Sequence, residues 1–255
     1  MPHRQKHRGA HPKDAELFAL AQVPSLQEAA GDLQWLLSRG YAPNAATKLV
    51  GDRFSLRQRQ RMALTRSVCT FSAAQNRLQK GLTVLPPLGT PIWVDGFNIL
   101  ITVETWLSKG LLLQGQDSAY RDLASIHGSY HRVEETDQSL QYLGQLLGDY
   151  PVQWYFDQPV SNSGRLAQRV RDLAAENQWN WTVFTDFNPD QRLIESGALV
   201  VSTDALILDA CKNWLNVMEL LLKPEKGGYA RQLVTPWLVS FYDAGLDSSQ
   251  KMYEL

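Results

Sequence analysis

The chain has 255 residues, 44% hydrophobic and 20% charged, which is enough to bury one α/β core and a small second module and too apolar for a disordered chain. No apolar run approaches the ~18 residues that a membrane helix needs, and the opening MPHRQKHRGAHPKD lacks the apolar core of a signal peptide, so the expected compartment is the cytoplasm, with no membrane partner. Cys69 and Cys211 stand alone, without CxxC or Cys/His spacing, which argues against a disulfide framework or a zinc knuckle. The net charge of −1 hides an asymmetry. Residues 1–90 hold 13 of the 25 Lys+Arg and 5 of the 26 Asp+Glu, a surplus of 8 positive charges, leaving 12 against 21 and a surplus of 9 negative charges in the remainder. A polyanion-binding part joined to a metal-binding part has this distribution, although segregated charge also occurs in proteins that touch no nucleic acid.

Residues 14–39 place apolar side chains at helical spacing, with Pro24 and Ser25 punctuating two helices and Gly40 as the stop. Asn44 is the expected cap of AATKLVGDRF, and Ser55 that of one long helix, LRQRQRMALTRSVCTFSAAQNRLQK, running to Gly81. Arg57, Arg59, Arg61, Arg66, Arg77 and Lys80 recur in that helix without matching acids, as a solvated face or a nucleic-acid contact would. The result is an all-helical basic module over 14–83, and GLTVLPPLGTP reads as the linker to an α/β domain over 91–245.

In the second part IWVD, VQWYFD, NWTVFTDF and ALVVSTD read as strands. Helices are expected in ILITVETWL, SAYRDLASIHG, EETDQSLQYLGQLLGDY, RLAQRVRDLAAEN, around PDQRLIES and in ALILDACKNWL, whereas QLVTPWLVSFY fits a strand or a packing helix. Alternation of this kind predicts a parallel sheet with helices on both faces. Three of the strands end in an acid: Asp95, Asp157 and Asp204. Carboxyl ends of parallel strands share one edge, where ligands bind, so the three acids are expected to converge. Clustered carboxylates repel one another unless protons or a divalent cation neutralise them, and oxygen ligands suit Mg²⁺ or Mn²⁺. A single acid in such a position is equally a helix cap, and Asp204 precedes a helix. Asp186, in FTDFNPD, reads as a turn acid outside the site.

VDGFNIL, YFDQPVSNSG and VVSTDALILD resemble the motifs of the PIN-like superfamily of metal-dependent ribonucleases, most closely its NYN branch. LLSRGYAPNAATKLVGDRFSLRQRQRMALTR resembles the family called domain of unknown function 434. The first resemblance implies a PIN-like sheet sandwiched by helices and cleavage of RNA with Mg²⁺ or Mn²⁺. It makes Asp95, Asp157 and Asp204 metal ligands, has Asn98 orient Asp95 or meet substrate, and has Ser202 and Thr203 bond the ligands or a phosphate. It also expects an acid from a helix between the first two acid-bearing strands, for which Glu135 is the choice, with Glu134 and Glu104 as rivals. Asp209 follows as a further acid near the cleft. One departure stands out: the second acid often found two residues after the strand-end Asp is Leu206 here.

Two further groups bear on substrate. Ser163 and Arg165, with Arg169, open a helix whose free N–H groups suit a phosphate, although Ser163 is also an ordinary cap. His127, Tyr130, His131 and Arg132 precede Glu135, where a solvated loop or a phosphate contact would place them. The expectation is a metal-dependent endoribonuclease with RNA as partner. Its rivals are an RNA-binding protein with a degenerate site and a carboxylate-based phosphatase.

Overall fold

The computed structural model describes residues 7–8, 11–124, 128–222 and 237–241. The first third is helical, but its punctuation differs from expectation. Helix α1 (Asp14–Leu17) leads through a 3₁₀ turn into α2 (Val23–Ser38), and Pro24 lies in the first turn of α2, where its missing N–H costs nothing. Gly40, with φ of 81°, follows the end of α2. Helix α3 (Pro43–Arg53) starts with Pro43, so Asn44 lies inside it and does not cap it. The single helix expected after Ser55 is two, α4 (Gln58–Ser67) and α5 (Phe71–Lys80). Ser55 holds a left-handed φ of 52° in the turn ahead of α4. Thr70 caps α5 by accepting the Ala73 N–H.

The rest of the chain runs β1 (Gly81–Leu82), β2 (Ile92–Asp95), α6 (Gly96–Leu107), β3 (Leu111–Gln114), β4 (Tyr120–Asp122), α7 (Thr136–Leu147), β5 (Val152–Asp157), α8 (Ser163–Asn177), β6 (Trp181–Asp186), α9 (Pro189–Glu195), β7 (Leu199–Val201), α10 (Ala205–Ala210), β8 (Asn213–Leu215), α11 (Val217–Leu222) and β9 (Trp237–Ser240). A six-stranded parallel sheet has the order β1-β8-β7-β2-β5-β6. From β2 the chain builds outward through β5 and β6, then crosses back to β7 and β8, so strand order reverses at β2. Helices α6, α7, α8 and α11 bury one face of this sheet around Val94, Trp154, Phe156 and Leu140, while α9 and α10 cover the other around Tyr155, Val200, Leu193 and Ile207. The alternating α/β reading therefore holds at the level of a mainly parallel sheet flanked by helices behind a helical region.

Two expectations change. Within SAYRDLASIHG, the described residues 118–124 are not a helix. Tyr120–Asp122 form β4, antiparallel to β3, behind a turn in which Ser118 has φ of 61° and Asp117 Oδ1 accepts the Ala119 N–H. The turn chemistry of Gly115, Asp117 and Ser118 outweighs the apparent helical spacing of Tyr120 and Leu123. The first two residues of the supposed linker form β1, the outer strand of the large sheet. QLVTPWLVSFY contributes β9, which pairs parallel with β3.

The helical region and the small sheet share a core. Leu33, Val50, Leu64 and Phe18 pack with Leu111, Leu113, Leu123 and Phe241. Among the described residues, no helix is long and apolar enough to cross a membrane.

Candidate functional site

Strand alternation decides which acids meet. On β2 the side chains of Ile92 and Val94 enter the α6–α8 core while Trp93 faces α9 and α10, so Asp95 falls on the α9 side. On β5 Trp154 and Phe156 take the first side and Tyr155 the second, which sends Asp157 the same way as Asp95. Trp93 and Tyr155 stack with ring centroids 4.9 Å apart, and Asp95 lies in register with Tyr155. The strand ends, the loop after β7 and the start of α9 then enclose a cleft of about 650 Å³ lined by Asp95, Asp157, Asp190 and Asp204. The cleft opens at the carboxyl edge, beside the strand where the order reverses, which is where open α/β sheets bind ligands. Gly96 keeps this corner tight: a Cβ there would come within 2.3 Å of the buried Phe156 ring.

Hydrogen bonds join the two motifs that the sequence separates by about a hundred residues. Ser202 Oγ donates to Asp95 Oδ2 at 2.8 Å and accepts from the Asp204 N–H at 3.0 Å. Asn98 Oδ1 accepts from both the N–H and the hydroxyl of Thr203, each at 2.8 Å. Asp204 caps α10, with Oδ1 accepting from the Leu206 N–H at 2.8 Å and the Ile207 N–H at 3.3 Å, so its capping role is part of the answer. Burial, reinforced by the charges of Asp190, Asp204 and Asp157, pushes the Asp95 carboxyl up to about 7, against the opposing bond from Ser202. Asp157 is raised by burial and then by Asp190, and Asp190 by burial and then by Asp204. The four acids form one mutually repelling set.

The opposite wall comes from elsewhere in the chain. Thr65 and Arg66 of α4 and Arg121 and Asp122 of β4 line it. Arg66 Nη1 donates to the carbonyls of Asp122 and Ala124. Arg121 Nε donates to the Thr203 carbonyl at 2.9 Å, and its two terminal nitrogens grip Asp117. Arg77 of α5 bonds Asp117 at 2.8 Å and clasps Asp209 through two bonds. Burial works against the Asp117 charge, yet Arg121 and Arg77 outweigh it and hold the carboxyl below its ordinary value. Four of the arginines that read as unmatched are matched in space: Arg59 pairs with Asp14 and Arg61 with Asp52, besides Arg66 and Arg77. The expected run of unmatched arginines on one helix is therefore corrected at these four positions and divided between two helices.

Several expected residues stand away from the cleft lining. Glu135 sits at the start of α7, bonds His7 Nδ1 at 2.6 Å and leaves a buried Oε2 without a partner. Glu134 is exposed. Glu104 is fully buried inside α6, held by Arg8 at 2.8 Å, Thr136 at 2.6 Å and Tyr130. Asp209 is spent on Arg77. Ser163 does not cap α8, whose cap position is Asn162; its hydroxyl donates to the Gln158 carbonyl at 3.3 Å. Arg165 and Arg169 line a separate hollow of about 360 Å³ with His131 and Arg132. His127 lies outside the described residues. Asp190 was missed in the sequence because it rides on a helix laid across the strands. Its proximity to FTDF, the end of a strand, was the only available signal.

The donors suit a hard divalent ion, and their mutual repulsion calls for positive charge. Among the described residues, however, no three His, Cys, Asp or Glu side chains are grouped closely enough to hold a metal together. The set fits only the looser mode in which one or two carboxylates share an ion with waters and a substrate phosphate.

Fold and cleft define a mixed α/β protein with a carboxylate-lined edge, completed by a helical region. Residues 88–220, more than half of the chain, match the model of the family described as "Domain of unknown function (DUF5616)", and the chain belongs to that family. Residues 25–80 match the family described as "Protein of unknown function (DUF434)", in agreement with the resemblance found in that stretch. The chain is similar to the uncharacterized protein MJ0935 of Methanocaldococcus jannaschii, at 27% identity over 199 residues that cover 77% of this chain and 95% of that protein. No solved structure matches it.

Proposed function

We propose that the cleft is the active site of a PIN-like, Mg²⁺- or Mn²⁺-dependent endoribonuclease. The observation that carries this reading is the meeting of Asp95, Asp157, Asp190 and Asp204 at one edge of a parallel sheet, with Asp95–Asn98 hydrogen-bonded to Ser202–Thr203. Asp190 stands in for the acid that the resemblance expects where Leu206 lies. A bound divalent ion would supply activation of water and charge stabilisation at the leaving oxygen. The chain's own groups do the rest. Asp95, with the neighbouring Asp157, Asp190 and Asp204, would hold that ion together with waters, and Ser202 fixes the Asp95 carboxyl's orientation by bonding one of its oxygens. Asn98 and Thr203 lock the loop that carries Asp204. Arg66, paired with Asp122, is the more exposed of the two arginines lining the cleft and is the one a phosphate would meet, whereas Arg121 is held by Asp117 and the Thr203 carbonyl.

A second reading, RNA binding without cleavage, is favoured by one observation, the spacing of the carboxylates too wide for a shared three-ligand shell. Labelled single-stranded and structured RNAs incubated with Mn²⁺ separate the two. The nuclease reading expects metal-dependent cutting that falls at least about 100-fold in both Asp95→Asn and Asp204→Asn. RNA bound but left intact moves the assignment to binding. Cutting that persists in both variants removes the site.

A further inference from the structure

The hollow of about 360 Å³ beside α8 is separate from the carboxylate cleft and shares no lining residue with it. The buried Tyr130 and Leu166 line it together with Arg132, Arg165 and Arg169. Helix α8 supplies two of these arginines and packs on the face of the sheet away from the acids, with Leu166 and Val170 in the core around Trp154 and Phe156. The volume falls within the roughly 300–1,000 Å³ of pockets that hold small molecules.

Positive charge is concentrated there beyond what the chain neutralises. Arg165 and Arg169 lie one helical turn apart on α8, a like-charge pair that by itself opposes the helix. Asp137 of α7 accepts from Arg132 and takes two bonds from Arg169, at 2.9 and 3.2 Å, so one carboxylate serves two guanidiniums. Among the described residues Arg165 pairs with no carboxylate. Three arginines against Asp137 leave two positive charges over, and the exposed Glu176 adds only a long contact to Arg169, at 3.4 Å. The facing wall is fixed. The Tyr130 N–H donates to the Ser161 carbonyl at 3.1 Å, Asn162 Nδ2 donates to the Tyr130 carbonyl at 2.9 Å, and the buried Arg8 donates to the His131 carbonyl at 2.6 Å. Walls already in place need little ordering when a ligand arrives. With Asn162 engaged in this way no side chain caps α8, and its opening turn adds to the positive potential.

We propose that this hollow binds a phosphate dianion, free or as a monoester. A phosphomonoester carries about −1.5 to −2 charges at pH 7, which matches the two left over on the walls, and planar guanidinium forks bond its oxygens in pairs. A carboxylate ligand would neutralise only one of the two. The proposal goes beyond the nuclease reading and does not depend on it, because the acids of that reading lie on the other face of the sheet.

The test is calorimetric titration of the full chain in low-salt, metal-free buffer, with inorganic phosphate, with adenosine 5′-monophosphate and with adenosine. Both phosphates should bind and adenosine should not. Tighter binding of the monophosphate would name an esterified phosphate as the ligand, and equal affinity would name phosphate itself; either upholds the site. Arg165→Gln is expected to weaken phosphate binding about 10- to 100-fold, the loss of one charge-assisted contact, and Arg165→Lys to recover part of it. Without phosphate, Arg165→Gln should melt at or above the wild-type temperature, because a like-charge neighbour of Arg169 has gone. Absence of binding at millimolar phosphate overturns the proposal. So does unchanged affinity in Arg165→Gln, above all with a lowered melting temperature, which would make the arginine structural. Affinity lost in Arg66→Gln instead would place the phosphate in the carboxylate cleft and overturn it too. RNA left uncut in every case would remove the nuclease reading and leave this site standing.

Discussion

Two buried acids in this protein live under opposite rules. Asp117, at 1% exposure, is enclosed by Arg77 and Arg121, and its carboxyl is held below its ordinary value. Asp95, at 8%, has one hydroxyl and three neighbouring acids, and its carboxyl rises to about 7. A buried charge with its counter-charge at hand can hold elements together; one denied its counter-charge keeps its proton to higher pH. The two sites are also joined, because Arg121 binds Asp117 with one end and the Thr203 carbonyl with the other.

The comparison breaks hardest at Arg77. Arg77→Met leaves Asp117 and Asp209 short of their partner, and a loss of about 3–5 kcal/mol is expected in urea unfolding. A change below about 1 kcal/mol would mean that Asp117 is no structural anchor.

Asp95→Asn should act in the other direction. A carboxyl whose folded value lies above the ordinary 3.8 contributes stability through its neutral form; that contribution is complete below the unfolded value and is lost as pH rises through about 7. The amide keeps the neutral shape at every pH. In metal-free buffer the variant is therefore expected to melt several degrees above wild type at pH 8 and close to it at pH 4, each kcal/mol amounting to about 2–4 °C in a protein of this size. Equal melting at both pH values would place Asp95 outside the repelling set.

Metal binding sharpens the same contrast. On the proposed function Mn²⁺ would compete with the Asp95 proton, so its affinity should rise about tenfold per pH unit below 7 and level off above, and Asp95→Asn should flatten the curve. The smallest effect belongs to the exposed pair of Lys48 and Asp52 on α3: Lys48→Ala should leave the melting temperature unchanged within error.

The parts of the fold that could be read beforehand are those written in short range. A run of apolar residues ending in an acid marked β2, β5 and β7, and the shared carboxyl edge of parallel strands was enough to bring Asp95 and Asp157 together. What escaped depends on partners distant in the chain. The arginines of α4 and α5 looked unmatched because Asp14 lies 45 residues from Arg59 and Asp209 lies 132 from Arg77. Glu135 was chosen for its place at a helix start, which says where an acid is tolerated but not which way that helix end faces. Asp190 needed the packing of α9 across the strands, and β4 was hidden by a pair of apolar residues at helical spacing.

The core shared by the helices and the small sheet has a consequence for how this protein is inherited. The matches at 25–80 and 88–220 suggest two portable pieces with a seam between them. Yet Leu64 packs with Leu111 and Leu113, Arg77 lies inside the second piece, and β1 extends its sheet. A gene cut at the seam would release two fragments, each with a raw apolar face, and the second with Asp117 stripped of Arg77. Substitutions at position 77 are therefore expected to be tolerated only with matching changes at positions 117 and 209.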